Sequence, residues 1–189
     1  MAYYKLNSLR LYVEHVFAFE ETKGLRGATG FLTKEEIREI GAYCRENFVV
    51  FIPSLSTFGH MYELLEQAQY RHLRVLKNFV ASPNFWRERM SHHTIDPFDP
   101  ESIAFVQNLI NQYAPHFDSD TFNICCDETF DLKQYQTQGL DVGAIYRVTD
   151  TRDWLNRYRT NWLQKNKVSE FRNIEDMFCY YDGLNRIEK

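Results

Sequence analysis

Nowhere in the 189 residues does an apolar run approach the roughly 20 that a membrane span requires. The N-terminus also lacks a charged region followed by an apolar signal core, so the expected location is cytoplasmic. Lys and Arg are scattered rather than striped and the formal net charge is −4, which leaves no footprint for nucleic acid and no polybasic patch for a membrane surface. Cysteine is scarce. Cys44, Cys125, Cys126 and Cys179 match neither the spacing of a zinc site nor the frame of a secreted disulfide-rich domain. Cys125 and Cys126 are neighbours in an apolar run and read as small packing residues. There is no internal repeat and no low-complexity tract.

What is present is enough for one core. Hydrophobic residues make up 44% of the chain, which suits a single compact unit. Aromatic residues make up 16%, which suits a ring-stacking site as well as a core. Met1 to Leu6 reads as the tail of a helix and Ser8 to Val13 (SLRLYV) as a strand that ends at the polar Glu14 and His15. After a Gly-rich polar loop from Thr22 to Gly30, Thr33 and Glu36 form the signature of a capping box opening a helix. Ile37, Ile40, Cys44 and Phe48 mark that helix's apolar face.

Val49 to Pro53 is a short apolar run and reads as the next strand, with Gly59 and His60 delivered to its carboxyl end by the loop SLSTFGH. A helical stretch is expected over Tyr62 to Val80, then a break at Pro83 and Asn84. Asp99 can cap a further helix with Pro100 at its first position, and Ile103, Val106, Ile110 and Tyr113 mark its buried face. Asn123 to Cys126 reads as a third strand. Strands alternating with helices over crossovers of this length imply parallel, right-handed βαβ units, so the fold class is α/β.

Chemistry concentrates in the stretch Thr121 to Asp131, TFNICCDETFD. Its apolar run closes on two adjacent acids, Asp127 and Glu128. Active sites of parallel α/β folds form at the carboxyl ends of strands, which makes the pair a candidate; taken alone, it reads better as the start of a solvated loop, because Asp-Glu dipeptides are common at strand ends. Successive side chains on a strand point to opposite faces, so both acids reach one pocket only if the chain has turned or bulged by Asp127. His92, His93 and Asp96 fit no zinc spacing and sit in a Pro-rich turn, so no metal is expected. Trp86 and Arg87 read as packing residues, and His15 as facing away from Glu14 across the strand.

Three stretches, LNSLRLYVEHVFAF, FIPSLSTFGHMYELL and FNICCDETFDL, resemble the catalytic barrel of family 20 glycoside hydrolases, the β-N-acetylhexosaminidases, in particular their intracellular bacterial branch. The likeness covers about residues 1–146. It implies strands two to four of a (β/α)8 barrel with their intervening helices; residues 147–189, where the likeness stops, are expected to be a C-terminal helical or irregular segment of unclear origin.

The resemblance also implies release of terminal β-linked N-acetylglucosamine or N-acetylgalactosamine by retaining catalysis in which the substrate's own 2-acetamido group is the nucleophile, an exception among glycosidases. Glu128 would be the acid/base, Asp127 would orient the acetamido group, and His60 and Glu14 would form a supporting relay. The bland readings are a helix-capping loop histidine and a salt-bridged strand end. The family needs no cofactor or metal, and its substrate is a carbohydrate.

A whole barrel takes about 250 residues. Half a barrel is therefore expected here, without counterparts for the family's first-strand arginine or its later tryptophans, tyrosine and acid. The open edges would favour self-association. An inactive α/β remnant or a sugar-binding module is the alternative to an enzyme.

Overall fold

The computed structural model describes residues 1–23, 25, 30–77, 94–126, 129, 131 and 132. Asp127, Glu128, Trp86, Arg87, His92, His93, Cys179 and all of 147–189 lie outside the described residues.

Two strands, β1 (Ser8–Val13) and β2 (Val50–Leu55), pair in parallel with Ser8 opposite Val50 and Val13 opposite Leu55. A parallel pair needs a crossover, and helix α1 (Lys34–Glu46) supplies it. Helix α1 starts where the sequence places it. The Thr33 hydroxyl accepts the Glu36 amide at 3.1 Å and the Glu36 carboxylate accepts the Thr33 amide at 2.8 Å. Those bonds, from the Thr33 backbone first and its hydroxyl second, hold the Glu36 carboxyl below its ordinary pKa. The contribution of this cap is therefore present above the unfolded carboxyl's pKa and is lost as pH falls through the lowered folded value.

The end of α1 departs from the expected pattern. Phe48 is not on the buried face: it is 92% exposed with φ 57°. The Phe48 amide donates to the Arg45 carbonyl at 3.1 Å and the Val49 amide to the Cys44 carbonyl at 2.9 Å, which is the Schellman arrangement. Phe48 occupies the left-handed position that glycine usually takes, and Val49 turns inward against Cys44 instead.

Strand β2 is buried on both faces from Phe51 to Leu55, as suits a strand with neighbours on both edges. Its second neighbour is Asn123, whose amide donates to the Pro53 carbonyl at 2.9 Å while its carbonyl accepts the Leu55 amide at 3.0 Å. The expected third strand, Asn123–Cys126, is thus reduced to a single parallel bridge between Ser54 and Asn123. Two causes are local. Pro53 offers no N–H on that edge, and Cys125 takes φ 38°, which ends the extended chain.

The expected helix over Tyr62–Val80 is also shortened. A single turn, α2 (Tyr62–Leu65), is followed by a 3-10 turn over Arg71–Leu73. The Leu65 carbonyl accepts the buried Arg74 guanidinium at 3.0 Å in place of a next helical turn. Residues 73–75 pair instead with 94–96, through Val75 to Thr94 at 3.0 Å and Asp96 to Leu73 at 2.7 Å. Burial pushes the Arg74 guanidinium down from its ordinary pKa, opposed by Glu66, which accepts from it at 2.6 Å. At the start of the chain, Ala2–Tyr4 is a 3-10 turn rather than the tail of an α-helix.

Helix α3 (Pro100–Tyr113) is capped by Asp99, whose carboxylate accepts the Glu101 amide at 2.9 Å. It buries Phe105, Val106, Leu109, Ile110 and Tyr113. Much of the aromatic content goes into this core, where the Tyr113 ring meets Phe17 at 5.0 Å and Phe117 at 4.7 Å. Burial raises the Tyr113 phenol well above its ordinary pKa. Asp99→Ala removes the side-chain acceptor and is expected to lower stability by about 1 kcal/mol, read as a lower urea midpoint at unchanged slope.

Candidate active site

Parallel register decides where the polar side chains converge. With Val13 opposite Leu55, Glu14 and Ser56 leave the sheet side by side at its carboxyl end. The period of two puts Arg10, Tyr12 and Glu14 on one face of the first chain, and Ser54 and Ser56 on the same face of the second. The contacts agree. The Tyr12 hydroxyl lies 2.9 Å from Ser56 Oγ, Asn123 Nδ2 donates to Ser54 Oγ at 3.2 Å, and Ser54 Oγ is 3.0 Å from Cys125 Sγ. Tyr12, Ser54, Ser56 and Asn123 were not singled out in the sequence, although the alternation Arg10, Tyr12, Glu14 is the signal that exposes this face.

His60 sits beside Glu14. Its Nδ1 is 3.1 Å from Glu14 Oε1, with the two side chains 14% and 20% exposed, so the contact is largely shielded from water. His60 has φ 55°, a left-handed kink that turns the end of the loop back toward β1. The loop itself is anchored by the wholly buried Phe58 and by Thr57, whose hydroxyl donates to the Ile124 carbonyl at 2.6 Å. Tyr12 packs edge-on against the His60 ring at 5.9 Å and 83°. A carboxylate at Nδ1 places the imidazole proton on that nitrogen and fixes the ring's tautomer and orientation. His15 packs its ring edge-on to Phe31 at 6.4 Å, with Nδ1 3.9 Å from Glu14 Oε2.

Asp127 and Glu128, which follow directly on Cys126, lie outside the described residues. The chain leading to them loses its extended form at Cys125, two residues before the pair. Asp96 accepts the Phe98 amide at 3.0 Å and pairs with Lys77 at 3.1 Å, and among the described residues no three His, Cys, Asp or Glu side chains gather as metal ligands. No described helix is long and apolar enough to cross a membrane. Asp131 carries no motif or period that marks it in the sequence. It is completely buried, and its carboxylate accepts both the amide, at 2.8 Å, and the hydroxyl of Thr94.

A groove of about 610 Å³ opens at the opposite, amino end of β2, between α1 and the turn after α3. Arg38, Phe48, Val50, His116 and Phe117 line it, and the pair between Arg45 and Asp118 sits at its rim. Burial, with Arg38 nearby, lowers the His116 pKa. The groove lies a strand's length from Glu14 and His60 and shares no residue with them.

Comparison with known proteins extends this geometry. The catalytic domain of glycosyl hydrolase family 20 matches residues 1–182, and so continues past Tyr146, where the motif-level likeness ends. Hexosaminidase D of Bos taurus is 30% identical over 132 residues, covering 69% of this chain and 35% of the bovine protein. A chitobiase of Flavobacterium johnsoniae superimposes with a TM-score of 0.56 at 18% identity, covering 86% of this chain and 25% of that one. An exo-β-N-acetylglucosaminidase from Vibrio harveyi, solved with N-acetylglucosamine, gives 0.56 at 19% identity over 84% of this chain and 30% of its own.

The chain therefore spans no more than about a third of the length of these relatives. At these identities the solved structures speak for the fold, which they imply is of the (β/α)8 type; the described residues contribute two parallel strands and a bridge to it. Because one family model accounts for nearly the whole length, the chain belongs to glycosyl hydrolase family 20, within its catalytic domain.

Proposed function

We propose that this chain carries the acid/base half of a β-N-acetylhexosaminidase site, which releases terminal β-linked N-acetylglucosamine or N-acetylgalactosamine with retention of configuration. The observation that carries the reading is the shielded Glu14–His60 contact at the carboxyl end of the sheet. It lies across β2 from the segment that runs on to Asp127 and Glu128. Family membership supplies the chemistry.

In this reading the 2-acetamido oxygen of the substrate attacks the anomeric carbon as Glu128 protonates the departing glycosidic oxygen. Glu128 then takes a proton from the water that opens the oxazolinium intermediate. Asp127 orients the acetamido group and stabilises the positive charge that develops on it. Glu14 and His60 hold the hydrogen-bonding frame around these acids.

The test is hydrolysis of a chromogenic N-acetyl-β-glucosaminide beside the matching β-glucoside, which lacks the acetamido nucleophile. Turnover of the first with none of the second supports substrate assistance. Equal turnover of both would remove the acetamido group from the mechanism. The second reading is a sugar-binding or inactive α/β remnant. A folded chain that binds N-acetylglucosamine without hydrolysing the glucosaminide would select it.

A further inference from the structure

We propose that Asp131 is a positioning residue for this site, acting through Thr94 to hold the His60 loop in one frame. The proposal rests on the hydrolase reading for its chemistry and on the hydrogen bonds around Thr94 for its geometry. Asp131 and Thr94 are both completely buried. The carboxylate takes two donors from the one residue, the Thr94 amide at 2.8 Å and the Thr94 hydroxyl. Two bonds to one partner fix direction as well as distance.

The bonds continue toward the histidine. Ile95, next to Thr94, donates its amide to the Phe58 carbonyl at 3.0 Å, and Phe58 precedes His60 by two residues. The Thr94 carbonyl accepts the Val75 amide at 3.0 Å, which holds this segment from its other side. The His60 loop is thus gripped twice, by Ile95 at Phe58 and by the Ile124 carbonyl at Thr57. Asp131 itself follows Glu128 by three residues. A shift at Asp131 therefore reaches the chain beside His60 through Thr94, Ile95 and Phe58.

Burying a carboxylate is unfavourable unless its oxygens are fully hydrogen-bonded, and an apolar residue would fill the volume at lower energetic cost. The acid gives this loop a single register, which a site sensitive to displacements of about 1 Å requires.

The test uses the full chain with Asp131→Asn, Thr94→Val and Thr94→Ser. Asp131→Asn keeps one acceptor for the Thr94 amide but replaces the oxygen that takes the Thr94 hydroxyl with an amide donor, reversing that bond, and is expected to lower kcat on the chromogenic glucosaminide about tenfold with KM changed less than about twofold. Thr94→Val loses only the hydroxyl bond and is expected to lower kcat about threefold, while Thr94→Ser restores it. The ring signals of His60, followed by NMR, are expected to move in Asp131→Asn and in Thr94→Val and to stay in place in Thr94→Ser.

A role confined to stability would lower the melting temperature and leave kcat per folded molecule and the His60 signals unchanged, which overturns the proposal. If Asp131→Asn does not fold, Thr94→Val decides by the same two readouts. If the native chain neither hydrolyses the glucosaminide nor binds N-acetylglucosamine, the hydrolase reading fails by itself. The His60 signals still judge the frame: unmoved signals in folded Thr94→Val and Asp131→Asn overturn it.

Discussion

Glu128→Gln is expected to reduce kcat for a chromogenic N-acetyl-β-glucosaminide by about a thousandfold, within the range by which a positioned general acid/base accelerates a reaction. The amide keeps the size and much of the hydrogen bonding of the carboxyl group, yet it can neither give nor take the proton. KM is expected to change little, because the loss falls on the transition state rather than on the bound substrate. The deficit should grow with the basicity of the leaving group. A nitrophenolate departs with little protonation, whereas a sugar alkoxide depends on it, so a disaccharide substrate is expected to suffer more than the chromogenic one. A variant that loses both substrates equally and only a few-fold would place the acid elsewhere in the chain.

The second large effect concerns Glu14 and His60. Each of Glu14→Gln and His60→Asn is expected to lower kcat by about tenfold to a hundredfold, the range seen when groups that orient a functional residue are removed. The double variant is expected to be little worse than the weaker single one. Side chains 3.1 Å apart and largely shielded from water act as a unit, so removing the second partner removes nothing that the first has not already disabled. Additive losses would mean that the two residues contribute separately and that their contact is a structural ion pair. Melting temperatures measured in parallel separate a lost frame from a lost fold.

Local chemistry was legible where a short stretch carries its own instructions. Thr33 with Glu36 and Asp99 with Pro100 set the starts of two helices from sequence neighbours alone, because a cap needs only residues within one turn. Strand β1 was likewise readable with its bounds from Ser8 to Val13. The stretch after Tyr62 was misread because its helical propensity met a competing partner. Residues 94–96 pair with 73–75 and the Arg74 guanidinium takes the Leu65 carbonyl, and neither contact is visible along the chain. Phe48 was misread for a related reason. Helical spacing assigns it to the apolar face, but the Schellman turn reverses the chain at that residue and gives its inward place to Val49.

The site divides along the same line. Glu14 at a strand end, His60 after a Gly and the acid pair closing an apolar run are features of sequence, and the family likeness rests on them. Asp131 carried no comparable signal, since one acid in a polar stretch has no period and no spacing to betray it. Its importance comes from Thr94, 37 positions away, and from the burial of both.

By itself, then, the sequence determined the family, the α/β class, the helix starts and the identity of the candidate acids, because motifs, caps and hydrophobic periods are encoded within a few residues of one another. Only the tertiary structure decided that Pro53 and the left-handed Cys125 cut the third strand to one bridge and that Asp131 closes on Thr94. Those outcomes depend on parallel register and on competition for buried hydrogen bonds, in which a distant residue wins whenever leaving a polar group unsatisfied would cost more than bending the local pattern.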